Sequence, residues 1–433
     1  MQRIDTQSSD FEAQIKEVVF PAHSTDVDLK IQTKVSNIIT KIRQDGDAAL
    51  IEFTKRFDNN GVGSASELKI APHKITHSLE LIDAQSIADL QLAIERISRF
   101  HQKQLVQDWF YTDEQGVLLG QRVLPIESVG VYVPGGKACY PSSILMNVIP
   151  AQVAGVQQIS LVTPAMNGEL NPIILATAAL LGIENIYQIG GAQAVAALAY
   201  GTETVPGVDK ITGPGNAYVA EAKRQVFGAV GIDMIAGPSE VVIIADKSAN
   251  PTHLAIGLFA QAEHDELARA ILISDNQEIL DKTVEAIEHE ITKMPRQAII
   301  RESLKNHGAF IKTQNLDESI EISNQIAPEH LELCIDSAEE VMTKVQSAGA
   351  IFLGKHTPEA FGDYLAGSNH ILPTSRSARF SSPLGVYDFQ KRSNYIQANA
   401  SAAQQLFPTV SRLAKVEGLH AHSLSCDLRV DSK

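Results

Sequence analysis

The stretch Ser128-Val-Gly-Val-Tyr-Val133, followed at once by Pro134-Gly135-Gly136, decides the fold. It reads as a short apolar strand that stops at a glycine turn. A helix is expected next, capped by Ser142 or Ser143 and running through Met146 and Ile149 to Ala154. The same order then repeats. Residues 159–163 read as a strand, 169–181 as an Ala/Leu/Ile helix closed by Gly182, and 185–189 as a third strand. Gly190-Gly191 leads into a helix over 192–200. A strand at 209–212 meets Gly213-Pro214-Gly215 and a helix from Ala217, with Asn216 as its cap. Residues 241–245 and 270–274 are further strands, separated by a helix over 252–267. A strand–helix period of roughly 30 residues is the size of a βαβ unit. The chain is therefore expected to be α/β, with parallel strands covered by helices on both faces.

Outward from this core the pattern weakens. Toward the N-terminus, Val27, Ile31, Val35, Ile38, Ile39 and Ile42 recur at helical spacing until Gly46 stops the run. A second helix is expected over 84–104, with Leu90, Ile94 and Ile97 on one stripe, and 61–67 reads as a loop. Toward the C-terminus, 312–315, 331–335 and 349–353 are weaker strand candidates. From Ile371 to Arg392 the chain is polar and loop-rich, and it ends in a helical stretch and a tail near 419–430. That last part is too poor in apolar residues to bury a core alone, so it packs on the main body or reaches another subunit. The expected division is an N-terminal helical region over 1–125, partly joining the first α/β domain, then α/β domains over 126–236 and 237–380, and a C-terminal arm over 381–433.

The 433 residues suit two or three domains. Lys and Arg number 36 against 51 Asp and Glu, a net charge of −15. Such an acidic surface disfavours nucleic acid and anionic lipid as partners. The three cysteines, Cys139, Cys334 and Cys426, lie far apart with no CxxC, which excludes a disulfide scaffold or zinc ribbon. The first residues carry no secretory pattern, and the longest apolar stretch, near 172–181, is too short to cross a bilayer. A cytoplasmic protein without membrane association is expected. The 13 histidines then become the groups to watch for metal binding and proton transfer.

Four segments carry chemistry-bearing residues. Gln261-Ala-Glu-His264 puts an amide and an imidazole on one face of the expected helix, though two ligands alone do not make a metal site. In Ala327-Pro-Glu-His-Leu331, proline at a first helical position would place Glu329 and His330 in a first turn. The helix dipole would then keep His330 neutral, fit to act as a base, while a capped surface helix is an equal reading. Asp363 and His370 flank Gly367 in a glycine-bracketed segment, where an aspartate is more commonly a turn former. Glu417, His420 and His422 lie in a tail that would ordinarily be solvated. The three glycine turns after strands sit where α/β proteins bind phosphates, but no GxGxxG is present.

Together, the ordered segments VYVPGG, YPSSILMN, IGGAQAVAALAYG, ITGPGNAYVAEAKRQV, IDMIAGPSE, QAEHD, EISNQIAPEHLEL, GDYLAGSNHILPT, DFQKR and EGLHAH closely resemble histidinol dehydrogenase over nearly the whole chain. Each is weak singly; ten in order are specific. The resemblance implies two incomplete Rossmann-like domains and a domain-swapped homodimer whose C-terminal arm completes the partner's site. It implies a zinc enzyme that oxidises L-histidinol to L-histidine with two NAD⁺. By that matching, zinc is held by Gln261, His264, Asp363 and His422, and Glu329 and His330 are the acid–base pair. Ser239, His370 and Glu417 match substrate-contacting positions, alongside the metal ligands and His330. Tyr132, Gln193 and Asn216 match NAD-contacting positions. His420 could compete with His422 as a ligand, though the spacing from Glu417 favours His422. Cys139 reads as a small packed residue in preference to a nucleophile. The competing readings are a paralogue acting on another small polar alcohol, a zinc hydrolase, and a non-catalytic binding protein.

Overall fold

A computed structural model describes residues 1–20, 25–58, 61–135, 140–165 and 168–430. Gly136 and Cys139 lie outside the described residues. The strand that opens the reading forms over Ser128–Tyr132, with all five residues buried. It sits in the middle of a five-stranded parallel sheet. The spatial order is Asn185–Tyr187, Gln158–Val162, Ser128–Tyr132, Lys210–Thr212 and Gly231–Ile232. Numbered along the chain, that order is 3-2-1-4-5. A second parallel sheet repeats it, as Ala309–Lys312, Arg269–Ser274, Glu240–Ala245, His330–Cys334 and Ala350–Leu353. The N-terminal strand Gln2–Asp5 adds a sixth member, parallel to Ala309–Lys312. The α/β class with parallel sheets is as the sequence predicts.

Helices cover the sheets, and short polar residues start them. Asn171, Asn216, Asn250, Asn276, Asn315 and Asn399 each accept a backbone N–H from the first turn of the helix they precede. Several boundaries differ from the sequence expectation. Neither Ser142 nor Ser143 is a cap: the helix is Pro141–Ala154, because proline takes the first helical position and Tyr140 becomes the cap. The helix carrying Gln261 is Pro251–Ala262, so His264 lies beyond its end. The strand expected at 312–315 forms over Ala309–Lys312, immediately after Gly308. Gly46, at φ 51°, breaks the helix Thr25–Phe57 into two arms.

The N-terminal region is divided between the two sheets. Helix Thr25–Phe57 packs on helices Gly191–Tyr200 and Ala217–Val226 of the first sheet, whereas Gln2–Asp5 belongs to the second. Helix Ala84–Gln102 packs on Pro141–Ala154 and on the turn 362–366. The C-terminal region leaves the body as strand Gln390–Ala398, antiparallel to Val117–Pro125, with Trp109–Thr112 as the third strand. Helices Ala400–Val416 and His420–Val430 then pack against each other. Phe110, Ile396, Leu413, Val416, Leu424 and Leu428 of this three-stranded sheet and helical pair remain exposed. Among the described residues no helix is long and apolar enough to cross a membrane.

One buried ion pair fixes the turn after Lys210–Thr212. The side chains of Lys223 and Asp233 are almost fully covered and in contact. Asp233 Oδ2 accepts the Gly213 N–H at 2.8 Å, and Lys223 Nζ donates to the Gly213 carbonyl at 3.0 Å. Lys223→Met leaves the Asp233 charge buried and unpaired. Urea unfolding is expected to show a loss of about 3–5 kcal/mol; a loss under about 1 kcal/mol would show that the turn does not depend on the pair.

Candidate active site and metal centre

The two central strands of the second sheet, Glu240–Ala245 and His330–Cys334, lie side by side with His330 opposite Val241. Both begin on charged residues, so their amino ends carry Glu240 and the Glu329-His330 pair together. The helix expected at Pro328 does not form. Helix Leu316–Ile326 ends at Ala327, in the left-handed region at φ 50°, and the chain turns directly into the strand. No helix dipole therefore acts to keep His330 neutral, because no helix starts there.

What surrounds His330 acts in the opposite direction. Its Nδ1 donates to the Glu240 carbonyl at 3.1 Å and lies 3.7 Å from Glu329 and 3.9 Å from Glu359. Its Nε2 lies 3.6 Å from Asp363 Oδ1. Burial opposes protonation, but the carboxylates of Glu359, Glu329 and Asp363 outweigh it and raise the His330 pKa well above the ordinary value. Burial pushes Glu329 up to about 7 and Glu359 up to about 8, with His330 pulling both back. Burial also works against ionisation of Asp363, yet His330, with its Nε2 3.6 Å away, holds it below the usual range.

Other segments converge here. The one-turn helix Glu359–Phe361 supplies Glu359, and the π-helical turn Gly362–Ala366 supplies Asp363. Gly367 follows at φ 116°, which lets the chain reverse so that His370 Nδ1 donates to the Asp363 carbonyl at 3.0 Å. Gln261, fully buried, orients its amide to donate to Glu359 Oε1 at 2.6 Å and to accept the Glu240 N–H at 2.6 Å. His264 is exposed at its surface; desolvation by the surrounding protein depresses its pKa, with the Asp363 charge opposing. Burial likewise depresses His370. Ser239 immediately precedes Glu240, and its carbonyl accepts the Arg269 N–H at 2.9 Å.

Of the expected zinc ligands, the structure brings Gln261, His264 and Asp363 into this electrostatic neighbourhood. His422 and Glu417 lie elsewhere, exposed on the C-terminal helical pair, and no described interaction joins them to His330. His420 is exposed there too. Among the described residues, the group with metal-holding geometry is His330, Glu359 and Asp363, whose ligand atoms lie within 4.8 Å of one another. His330 Nε2 and Glu359 Oε2 are buried and without hydrogen-bond partners. Unsatisfied nitrogen and oxygen atoms of this kind suit a divalent cation of borderline softness such as zinc. Sequence reasoning missed Glu359. Its signal was present: Glu359 and Asp363 stand four apart, on one face if the segment is helical. The supporting pair Glu240–Arg269, in contact at 2.7 Å, carried no such signal.

A second site lies on the first sheet. Between Ser128–Tyr132 and Lys210–Thr212 the strand order reverses, the place where open α/β sheets bind ligands beyond their carboxyl ends. A cavity of about 710 Å³ opens there, lined by Tyr132, Pro164, Gln193 and Asn216 among others. The three residues expected to contact NAD thus share one cavity. Asp58, 5% exposed, forms part of its wall and accepts the Gly190 N–H at 2.9 Å.

The family model for histidinol dehydrogenase matches residues 22–430. The chain belongs to the histidinol dehydrogenase family. It is 50% identical over 433 residues to the histidinol dehydrogenase of Nitrosospira multiformis, covering 100% of this chain and 98% of that one. It is 50% identical over 430 residues to that of Neisseria meningitidis serogroup B, covering 99% and 100%. The crystal structure of histidinol dehydrogenase from Elizabethkingia anophelis superposes with a TM-score of 0.92 at 37% identity, covering 99% of this chain and 98% of that one.

The Asp58 carboxyl is pushed up to about 6 by burial, against the Gly190 hydrogen bond. Its folded pKa lies above the ordinary value, so the folded chain keeps a proton that the unfolded chain has released. That contribution is complete below about pH 4 and lost as pH rises through 6. Relative to Asp58→Asn, the wild type is expected to lose about 2 kcal/mol between pH 4.5 and 7. Urea unfolding of both proteins at the two pH values checks this, and a constant difference between them would refute it.

Proposed function

We propose that the protein oxidises L-histidinol to L-histidine with two NAD⁺ and zinc, the activity that its family membership suggests. The observation that carries the reading is His330 set among Glu329, Glu359 and Asp363 with its Nε2 unsatisfied. The overall balance is one primary alcohol, one water and two NAD⁺ giving one carboxylate, two NADH and three protons. The site must therefore remove protons at both oxidations and hold an aldehyde between them.

His330 is the group placed to take the alcohol proton, and Glu329 the one to activate water for the second oxidation. With carboxylates on either side, His330 is charged whenever all three are ionised. A base must be neutral first, so the carboxylates have to be engaged elsewhere when substrate is present. Gln261, His264, Asp363 and the partner's His422 are the proposed zinc ligands, with Glu359 hydrogen-bonded to Gln261 as a charge reserve beside them. Bound zinc supplies positive charge and a template for the substrate's nitrogen atoms. Were Asp363 to ligate the metal, His330 would lose one of the groups that hold its proton. Ser239 and His370 flank the substrate, and Tyr132, Gln193 and Asn216 contact NAD. The two halves of the chain then divide the work, residues 126–236 holding the dinucleotide and 237–380 carrying the chemistry.

The arm over 381–433 supports a homodimer. Its exposed Leu413, Val416 and Leu424 need a covering surface, and Glu417 and His422 lie on it, away from the His330 cluster of the same chain. A partner's arm laid on the site supplies both residues.

The decisive assay is stoichiometric. Zinc-loaded protein is expected to form two NADH per L-histidinol, with L-histidine as product; one NADH, or none, rejects the reading. His330→Asn is expected to lower kcat by at least about 10²-fold; zinc retained by this variant places His330 outside the metal's ligand set, as proposed, and zinc lost places it inside the His330, Glu359 and Asp363 group. His422→Asn is expected to lose zinc. Mixing the two inactive variants should restore a fraction of wild-type activity through dimers with one intact site. Mixed dimers without activity would remove the shared-site reading while leaving the reaction itself standing.

A further inference from the structure

Helix Pro141–Ala154 carries Pro150 in its interior. Proline has no N–H, so the Met146 carbonyl, one turn earlier, is left without its helical donor. The side chain of Asn369 fills that place: its Nδ2 donates to the Met146 carbonyl at 2.7 Å. The second N–H of the same amide goes to His101 Nε2 at 3.3 Å. His101 Nδ1 donates to the Ile97 carbonyl at 2.8 Å, which leaves Nε2 as the bare, accepting nitrogen of a neutral ring. Burial, which lowers the His101 pKa, favours the same form. Asn369 Oδ1 accepts the Ile371 N–H at 2.9 Å. His101 and Asn369 are 0% and 4% exposed, so the network is shut off from water with both amide protons placed.

This network lies directly behind the site. Asn369 precedes His370, whose Nδ1 donates to the Asp363 carbonyl at 3.0 Å, so Nε2 is the nitrogen left for substrate. The same segment is held at a second point. Arg96 Nε donates to the Leu365 carbonyl at 2.6 Å, and Arg96 Nη2 to the Ala366 carbonyl at 3.3 Å. Those carbonyls end the π-helical turn that carries Asp363, where no further helical N–H follows. Gly367 permits the approach: a Cβ there would lie 2.9 Å from the Arg96 carbonyl. Ile371 is then buried in one core with Ile97, Met146 and Val131 of the first sheet's half. A chain that leaves the His330 cluster at Asp363 is therefore anchored, a few residues later, in the other half of the molecule.

We propose that Asn369 is a positioning residue for His370: through His101 and the Met146 carbonyl it ties the segment that carries Asp363 and His370 to the helices of the first sheet, with Arg96 holding the turn between them. The proposal rests on the reading of His370 as a substrate-contacting residue. A packing role alone does not call for this side chain. An amide whose donors and acceptor are all used fixes direction as well as volume. An apolar side chain at 369 fills the space but leaves the Met146 carbonyl and the His101 nitrogen unpaired, and the His370 backbone loses its fixed point.

The test is steady-state kinetics of zinc-loaded protein with L-histidinol and NAD⁺. Asn369→Ala is expected to raise the KM of L-histidinol at least about tenfold, with the KM of NAD⁺ unchanged. In a His370→Ala background the same change is expected to raise that KM no further, because Asn369 acts through His370. His101→Phe keeps a ring and removes the acceptor, so it should move the KM in the same direction. His101→Gln, which restores an acceptor, should bring it back toward the wild type. These two variants carry the test if Asn369→Ala does not fold. A lowered melting temperature with KM and kcat both unchanged shows a structural role alone and overturns the proposal. So does an effect of Asn369→Ala that adds in full to that of His370→Ala. If His370→Ala raises the KM and neither Asn369→Ala nor His101→Phe does, the proposal fails and the reading of His370 stands. If His370→Ala itself leaves the KM unchanged, that reading fails and the proposal with it.

Discussion

Charge balance in a closed space is the constraint on which the second half of the molecule depends. Glu240, Arg269, Glu329, His330, Glu332 and Glu359 are all less than a tenth exposed, and they crowd the two central strands of one sheet. Four carboxylates cannot all stay ionised there against one guanidinium and one imidazole. The consequences are visible in each group. Glu240 takes Arg269 as its partner, His330 holds its proton, and Glu329 and Glu359 are driven toward neutral forms. A second cation resolves the same conflict, which is why the cluster reads as a metal and proton-transfer centre instead of a stability device.

The fold places this conflict with economy. The same 3-2-1-4-5 strand order is used twice, and each sheet has its own site at the point where the order reverses. The first sheet uses the carboxyl ends of its strands, where Tyr132, Gln193 and Asn216 meet. The second uses the amino ends, where Glu240 and His330 begin their strands. That difference separates a cavity fit for a dinucleotide from a cluster fit for acid–base work. The segment 359–370 is what closes the second site, and helix Ala84–Gln102 braces it: Arg96 Nε donates to the Leu365 carbonyl at 2.6 Å.

Much of this was legible in the residues. The strand at 128–133, the 30-residue alternation and the Asn216 cap follow from apolar runs, turn chemistry and short polar side chains, which act over a few residues. The Glu329-His330 pair and Asp363 were legible as candidates. The state of His330 was not. Pro328 suggested a helix start, but parallel pairing to Val241 and Ala350 on either side makes His330 the first residue of a strand. Tertiary pairing overrode a local preference, and the sign of the pKa shift changed with it. Glu359 and Arg269 went unread because their roles exist only where segments far apart in sequence meet.

The sequence by itself determined the parallel α/β class, the family, and the set of residue types available for chemistry. Those depend on local periodicity and on motifs in order, which need no coordinates. Only the tertiary structure decided which carboxylates face His330, that the Gly190, Gly191 and Gly213 amides are taken by the side chains of Asp58, Tyr132 and Asp233, and that Glu417 and His422 stand away from their own chain's cluster. Each of these depends on distance in space and on exclusion of water, and a charge or an amide carries no mark in sequence of what will be buried against it.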